Sequence, residues 1–94
     1  MRLVGRDLLD EFTTTHADAR AWIENWIADV EAAQWRAPQE IKARYASASF
    51  LENRVVIFNV GGNHYRFEVQ VAFNTGIVRM RWAGTHADYT KRMN

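Results

Sequence analysis

No cysteine occurs in the chain, so a disulfide framework, a thiolate nucleophile and a cysteine-based zinc site are all closed to it. Histidine is scarce. His16, His64 and His86 each lack a second histidine three to five residues away, which argues against a histidine metal site, and no metal or other cofactor is expected. One proline and five glycines leave few places where the chain is obliged to break. No apolar run reaches the roughly 20 residues of a membrane-spanning helix. The opening Met1-Arg-Leu-Val-Gly-Arg-Asp7 also carries charge where a secretory signal needs an unbroken apolar stretch, so a cytoplasmic protein without a membrane partner is expected. Ninety-four residues suffice for one two-layer core, and a single domain over residues 1–94 is expected.

What is present is unevenly placed. Residues 1–40 hold four Lys and Arg against eight Asp and Glu, whereas residues 41–94 hold eight against three. A basic second half points to a face that meets phosphates; the acidic first half is a solvated helical surface or a face for a basic partner.

Leu3 and Val4 make residues 1–5 a short opening strand. From Arg6 the spacing of Leu8, Leu9 and Phe12 turns helical, and the run Thr13-Thr14-Thr15-His16 is expected to end that helix, because its side chains compete with the helical backbone. Asp18 stands where it can cap or charge the start of the next helix. There Ala19, Trp22, Ile23, Trp26, Ile27 and Val30 recur at offsets of three and four as one broad apolar stripe. Aromatics on such a stripe pack on a sheet rather than on nucleobases. Trp35, past the stripe, is expected to cover the core edge. Pro38 opens a loop into a helical turn over residues 41–45, from which Lys42 and Arg44 project outward.

The centre of the chain is Phe58-Asn-Val-Gly-Gly-Asn-His-Tyr-Arg-Phe67. Adjacent glycines between runs rich in Val, Ile, Phe and Tyr supply the positive φ that a tight hairpin turn needs. A two-residue turn at Gly61-Gly62 sets Val60 against Asn63, Phe58 against Tyr65 and Val56 against Phe67. A second turn near Gly76 sets Asn74 against Ile77, Val71 against Met80 and Val69 against Trp82. Alternation then gives a core face of Tyr65, Phe67, Val69, Val71, Phe73, Val78, Met80 and Trp82. The opposite face carries His64, Arg66, Glu68, Gln70, Arg79 and Arg81. The expected fold is α+β: an N-terminal strand and two helices packed on an antiparallel sheet, with a short C-terminal helix.

Strand-borne arginines suit bidentate recognition of phosphate oxygens, although Glu68 and Gln70 are equally able to pair with them. After the last strand, Thr85 caps a helix in which His86 and Tyr89 share a face, near Asp88 and Lys91. An imidazole, a phenol and several cations suffice for metal-free RNA cleavage. One group takes the ribose 2′-hydroxyl proton, another protonates the leaving 5′-oxygen, and cations stabilise the pentavalent phosphate.

The stretches Ile41-Lys-Ala-Arg-Tyr-Ala-Ser-Ala-Ser-Phe50, Phe58-Asn-Val-Gly-Gly-Asn-His-Tyr-Arg66 and Gly84-Thr-His-Ala-Asp-Tyr89 resemble the HigB family of toxins from bacterial type II toxin-antitoxin pairs. The resemblance implies a RelE/ParE-like fold and a ribosome-dependent mRNA interferase, an endoribonuclease that cuts messenger RNA during translation. It also implies a HigA-type helix-turn-helix antitoxin, and operator DNA bound through the toxin-antitoxin complex. By the same resemblance Arg66, Arg81, His86 and Tyr89 carry catalysis, while Lys42, Arg44, His64, Arg79 and Lys91 bind RNA or the ribosome. Two positions depart from the family pattern: Ala46 stands where proline often follows Arg-Tyr, and Thr90 where an acid often follows the tyrosine. Two other activities suit the same fold, a ParE-like toxin that poisons DNA gyrase without nuclease chemistry and a relative that only binds.

Overall fold

The apolar alternation from Val55 to Met80 becomes three long antiparallel strands, and the remaining elements of the computed structural model, which describes residues 1–93, are arranged around them. In chain order the elements are β1 (Arg2–Val4), α1 (Arg6–Thr15), α2 (Arg20–Ala32), α3 (Pro38–Arg44), β2 (Ser49–Phe50), β3 (Val55–Val60), β4 (Tyr65–Ala72), β5 (Ile77–Thr85) and α4 (His86–Met93). The sheet order is β1-β5-β4-β3-β2. This is the expected α+β class. The sheet is antiparallel from β2 to β5, but β1 joins β5 in parallel, so it is mixed rather than wholly antiparallel. Gly5 (φ +89) makes the turn from β1 into α1, where a Cβ would lie 3.2 Å from that of Met80. No helix among the described residues is long and apolar enough to cross a membrane.

Helices α1 and α2 cover one face, here called the back. Trp26 sits edge-on to Phe58 and Phe67 at 5.4 and 5.3 Å, and Phe12 and Trp22 meet Phe67 at 5.9 and 6.1 Å. Edge-to-face pairs of this kind add roughly 0.5–1.5 kcal/mol each to the burial of their area. Trp22 and Trp26 thus serve the core, as the stripe predicted, and Trp35 is buried in it rather than only roofing its edge. The Trp26 Nε1–H has no partner among the described residues.

Two local expectations change. Helix α1 continues through the threonines, and Thr13 and Thr14 turn their hydroxyls back to the Asp10 carbonyl, at 2.9 and 3.1 Å. Asp18 makes no cap; its carboxylate accepts from the Tyr65 phenol at 2.7 Å, which raises the phenol pKa chiefly through that bond.

The hairpin register differs from expectation by two residues. Val60 pairs with Tyr65, Phe58 with Phe67 and Val56 with Val69, so residues 61–64 all belong to the turn, with Gly61 and Gly62 at φ +60 and +75. The longer turn sets Phe58 opposite Phe67 and Val56 opposite Val69 on the back. His64 therefore lies in the turn and not on the strand face. The β4–β5 pairing is also displaced, with Ala72 opposite Ile77 and Val71 opposite Val78. A shift of two keeps every side chain on its face.

One irregularity does change a face. Val69 pairs with Met80 and Glu68 with Trp82, which leaves Arg81 as the extra residue of a β-bulge. Beyond it Ala83 joins the back, while Trp82 and Gly84 lie on the front beside Glu68 and Arg66. Trp82 is consequently not a core residue. The front is also less polar than expected: Val55 and Ile57, opposite Gln70 and Glu68, are buried there outside the main core cluster.

Candidate functional site

The front end of β4 and β5 gathers the chemistry. Arg66 lies between Asn59 on β3 and Gly84 on β5 and is only 8% exposed. Its Nη1 donates to the Tyr65 carbonyl at 3.0 Å and its Nη2 to Asn63 Oδ1 at 2.7 Å. No carboxylate among the described residues lies within ion-pair distance of it. Neutral acceptors orient a guanidinium but leave its charge uncompensated, and water-poor surroundings sharpen its attraction for an anion.

Helix α4 begins where the strand ends. The Asp88 N–H donates to Thr85 Oγ1 at 3.0 Å, the expected cap, and the His86 N–H donates to the His64 carbonyl at 2.9 Å. That second bond ties the start of α4 to the hairpin turn and brings two histidines to one end of the front. His86 is exposed. One turn on, Tyr89 faces Trp82 at 6.2 Å between ring centroids.

Glu68 holds the next layer together. Its oxygens meet Arg81 Nε at 3.4 Å and Arg92 Nη1 at 3.2 Å, with the carboxylate side chain only 13% exposed. The Arg92 guanidinium also lies 4.4 Å from the centroid of a Trp82 ring. Beneath the indole is Gly84, where an added Cβ would come within 2.4 Å of Trp82 Cζ2. Arg81 is thus already paired with a carboxylate, unlike Arg66. Arg79 is further along the sheet, where it donates to Gln70 Oε1 at 2.7 Å.

Not every residue assigned by resemblance joins this cluster. Lys42 donates to the Ala48 carbonyl at 2.8 Å, and Arg44 pairs with Asp29 of α2 at 2.6 Å. The Tyr45 phenol shares that Asp29 oxygen at 2.6 Å, while its ring packs on Trp22 and Phe58, so this cluster belongs to the helical layer. Burial first, then the Asp29 bond, raises the Tyr45 pKa far above its usual value. Lys91 is exposed on α4. Another cleft, of about 290 Å³, opens on the α1 side between Glu11, His16 and Arg81, apart from Arg66. Among the described residues no three His, Asp or Glu side chains converge to hold a metal ion.

Three participants escaped the sequence. Asn63, which orients Arg66, was expected on the strand opposite Val60 and lies in the turn instead. Trp82 looked like core because period-two alternation has no symbol for a bulge. Arg92 was given no role. One local signal was available, Gly84 two residues after Trp82, which gives a large ring room to lie on the strand.

A family model described as HigB_toxin, RelE-like toxic component of a toxin-antitoxin system, matches residues 19–92. That span takes in Arg66, Trp82, His86, Tyr89 and Arg92 and leaves out β1 and α1. No curated protein matches the chain.

Proposed function

This chain belongs to the HigB family of RelE-like toxins, the toxic components of toxin-antitoxin systems, and from that premise we propose that it is a ribosome-dependent mRNA interferase. An antitoxin partner follows from the family itself; a HigA-type helix-turn-helix protein that carries the complex to operator DNA is the form we propose for it. Translating ribosomes and their mRNA are the proposed target, which sets the site of action in the cytoplasm.

The observation that carries the reading is Arg66, a buried guanidinium oriented by Asn63 and the Tyr65 carbonyl with no carboxylate beside it among the described residues. The natural complement is the scissile phosphate. As the ribose 2′-oxygen attacks, negative charge builds on the non-bridging oxygens, and a fixed cation stabilises that state more than the ground state. The 2′-hydroxyl loses its proton as the new P–O bond forms, and the 5′-oxygen gains one as its bond to phosphorus breaks. The products are a 2′,3′-cyclic phosphate and a 5′-hydroxyl end. Imidazole suits either proton transfer near neutral pH, so His86 takes one role, with Tyr89 positioning or supplying the other. Arg81, tied to Glu68, holds the wall of the site, and Lys42, Arg44, His64, Arg79 and Lys91 serve the wider RNA or ribosome surface.

Brief expression without antitoxin, followed by transcript-end mapping, tests this. Cleavage within translated frames is expected, and Arg66→Ala with His86→Ala together should abolish both cleavage and growth arrest in a folded protein. Persistent cleavage in that double variant would overturn the assignment. Intact transcripts with DNA damage signalling would replace it with gyrase poisoning.

A further inference from the structure

We propose that Trp82 is a stacking face for one base of the bound RNA, next to the phosphate held by Arg66, and that Arg92 covers this face in the free toxin. The inference rests on the RNA-cleaving reading and adds a residue that reading does not use. Three observations carry it. First, the bulge at Arg81 turns Trp82 away from the core, so this indole alone of the four tryptophans lies on the front. It sits two residues along β5 from the position opposite Arg66, roughly 6.5 Å along the strand.

Second, the ring has a seat. An ideal Cβ at residue 84 would approach Trp82 Cζ2 and Cη2 at 2.4 and 2.5 Å, so the six-membered ring fills the space that glycine leaves. One face rests on the backbone and the other looks outward. Third, what covers the outward face is itself a planar cation. Arg92 lies 4.4 Å from the ring centroid and keeps one 3.2 Å bond to Glu68, with its own side chain 40% exposed. A guanidinium held at the surface by these two contacts is exchangeable for a base, because stacking of a base on an aromatic ring is stronger than an exposed cation–ring contact. Such a face accepts every base, with the larger purine surface favoured. Tyr89, at 6.2 Å, closes one side.

Ribosomes programmed with mRNA that carries an abasic nucleotide at one position flanking the cut provide the test. Trp82→Leu should lower kcat/KM by about tenfold or more, the effect expected of one lost base stack. Trp82→Phe should restore most of that rate, since it keeps an aromatic face. At a single position the abasic nucleotide should cost the wild type as much as Trp82→Leu does, and cost the Leu variant nothing further. Arg92→Ala should lower KM by uncovering the ring. Trp82→Leu that is folded and cleaves like wild type, or a penalty that adds to the abasic penalty at every position, would overturn the proposal. So would a raised KM for Arg92→Ala, for the covering role. Loss of cleavage in Arg66→Ala but not in Trp82→Leu removes the stacking face and leaves the nuclease standing. If the wild type cleaves nothing, the nuclease reading fails first. Quenching of tryptophan fluorescence by an uncleavable 2′-deoxy oligonucleotide, present in wild type and lost in Trp82→Leu, then still supports the face, and its absence overturns it.

Discussion

On the back of the sheet Trp26 is wedged edge-on between Phe58 and Phe67, while on the front Trp82 lies over Gly84 beneath an arginine. The same side chain meets two environments, and the difference separates what holds this molecule together from what it has to offer. The back is aromatic and closely packed, with Phe12, Trp22, Trp26, Phe58 and Phe67 set against one another. The front has a small buried patch, Val55 and Ile57, and next to it a buried charge without a carboxylate partner among the described residues. Folding energy is concentrated on one face and electrostatic potential on the other.

The largest expected effect falls on the back. Phe67→Ala should cost about 3–5 kcal/mol, because it leaves a cavity shared by Phe12, Trp22 and Trp26, and urea denaturation would read it. Next comes the charge on the front. Arg66→Met should lower transcript cleavage by roughly 100-fold or more while leaving the urea midpoint nearly unchanged or raised, since an apolar side chain of similar length removes an uncompensated buried charge. A large fall in stability would show that Arg66 is part of the scaffold and blur the division between faces. Gly84→Ala should cost about 1–3 kcal/mol and alter the near-UV circular dichroism, because the new methyl group displaces the Trp82 indole. Glu68→Gln should cost only about 1 kcal/mol, an effect that shrinks in high salt, as both partner arginines are about 40% exposed.

The smallest effect is a matter of pH. Burial and Asp29 hold the folded Tyr45 phenol above its unfolded value of about 10. The unfolded chain therefore loses that proton first. The stabilisation is complete below about pH 10 and is lost as pH rises toward the folded value. Tyr45→Phe should flatten the alkaline limb of a stability-versus-pH curve; an unchanged limb would remove the phenol from the account.

Much of the back was legible in the chain. The 3–4 spacing of Trp22, Ile23, Trp26 and Val30 announced the helical stripe, and the alternation from Tyr65 to Met80 announced its sheet. Gly61-Gly62 announced a turn, but whether two or four residues close it depends on which apolar pairs meet across the strands, a tertiary preference that no local signal encodes. The displaced register kept the faces of the paired residues because it moved by two, and it took only His64 off the front and into the turn. The bulge at Arg81 moved by one, and there period-two reading failed. The burial of Arg66 was hidden for a related reason. Arginine on an alternating strand reads as solvated, and only the four-residue turn that brings Asn63 to it shows how its guanidinium is held. Site assignments for Lys42 and Arg44 rested on resemblance, and the fold ties those two to Ala48 and Asp29 of the other layer.

The parallel pairing of β1 with β5 imposes an order in time. Arg2 is synthesised well before Ile77, yet they are register partners. Chain emerging at about 5–20 residues per second leaves β1 without its neighbour for several seconds. Contacts this distant in sequence also form late, since the intervening loop has to be ordered before they reward it. Arg66 meets Gly84, and His64 meets His86, only when β5 and the start of α4 are out. A nascent chain therefore carries Arg66 and His64 for a time without the neighbours that Gly84 and His86 supply.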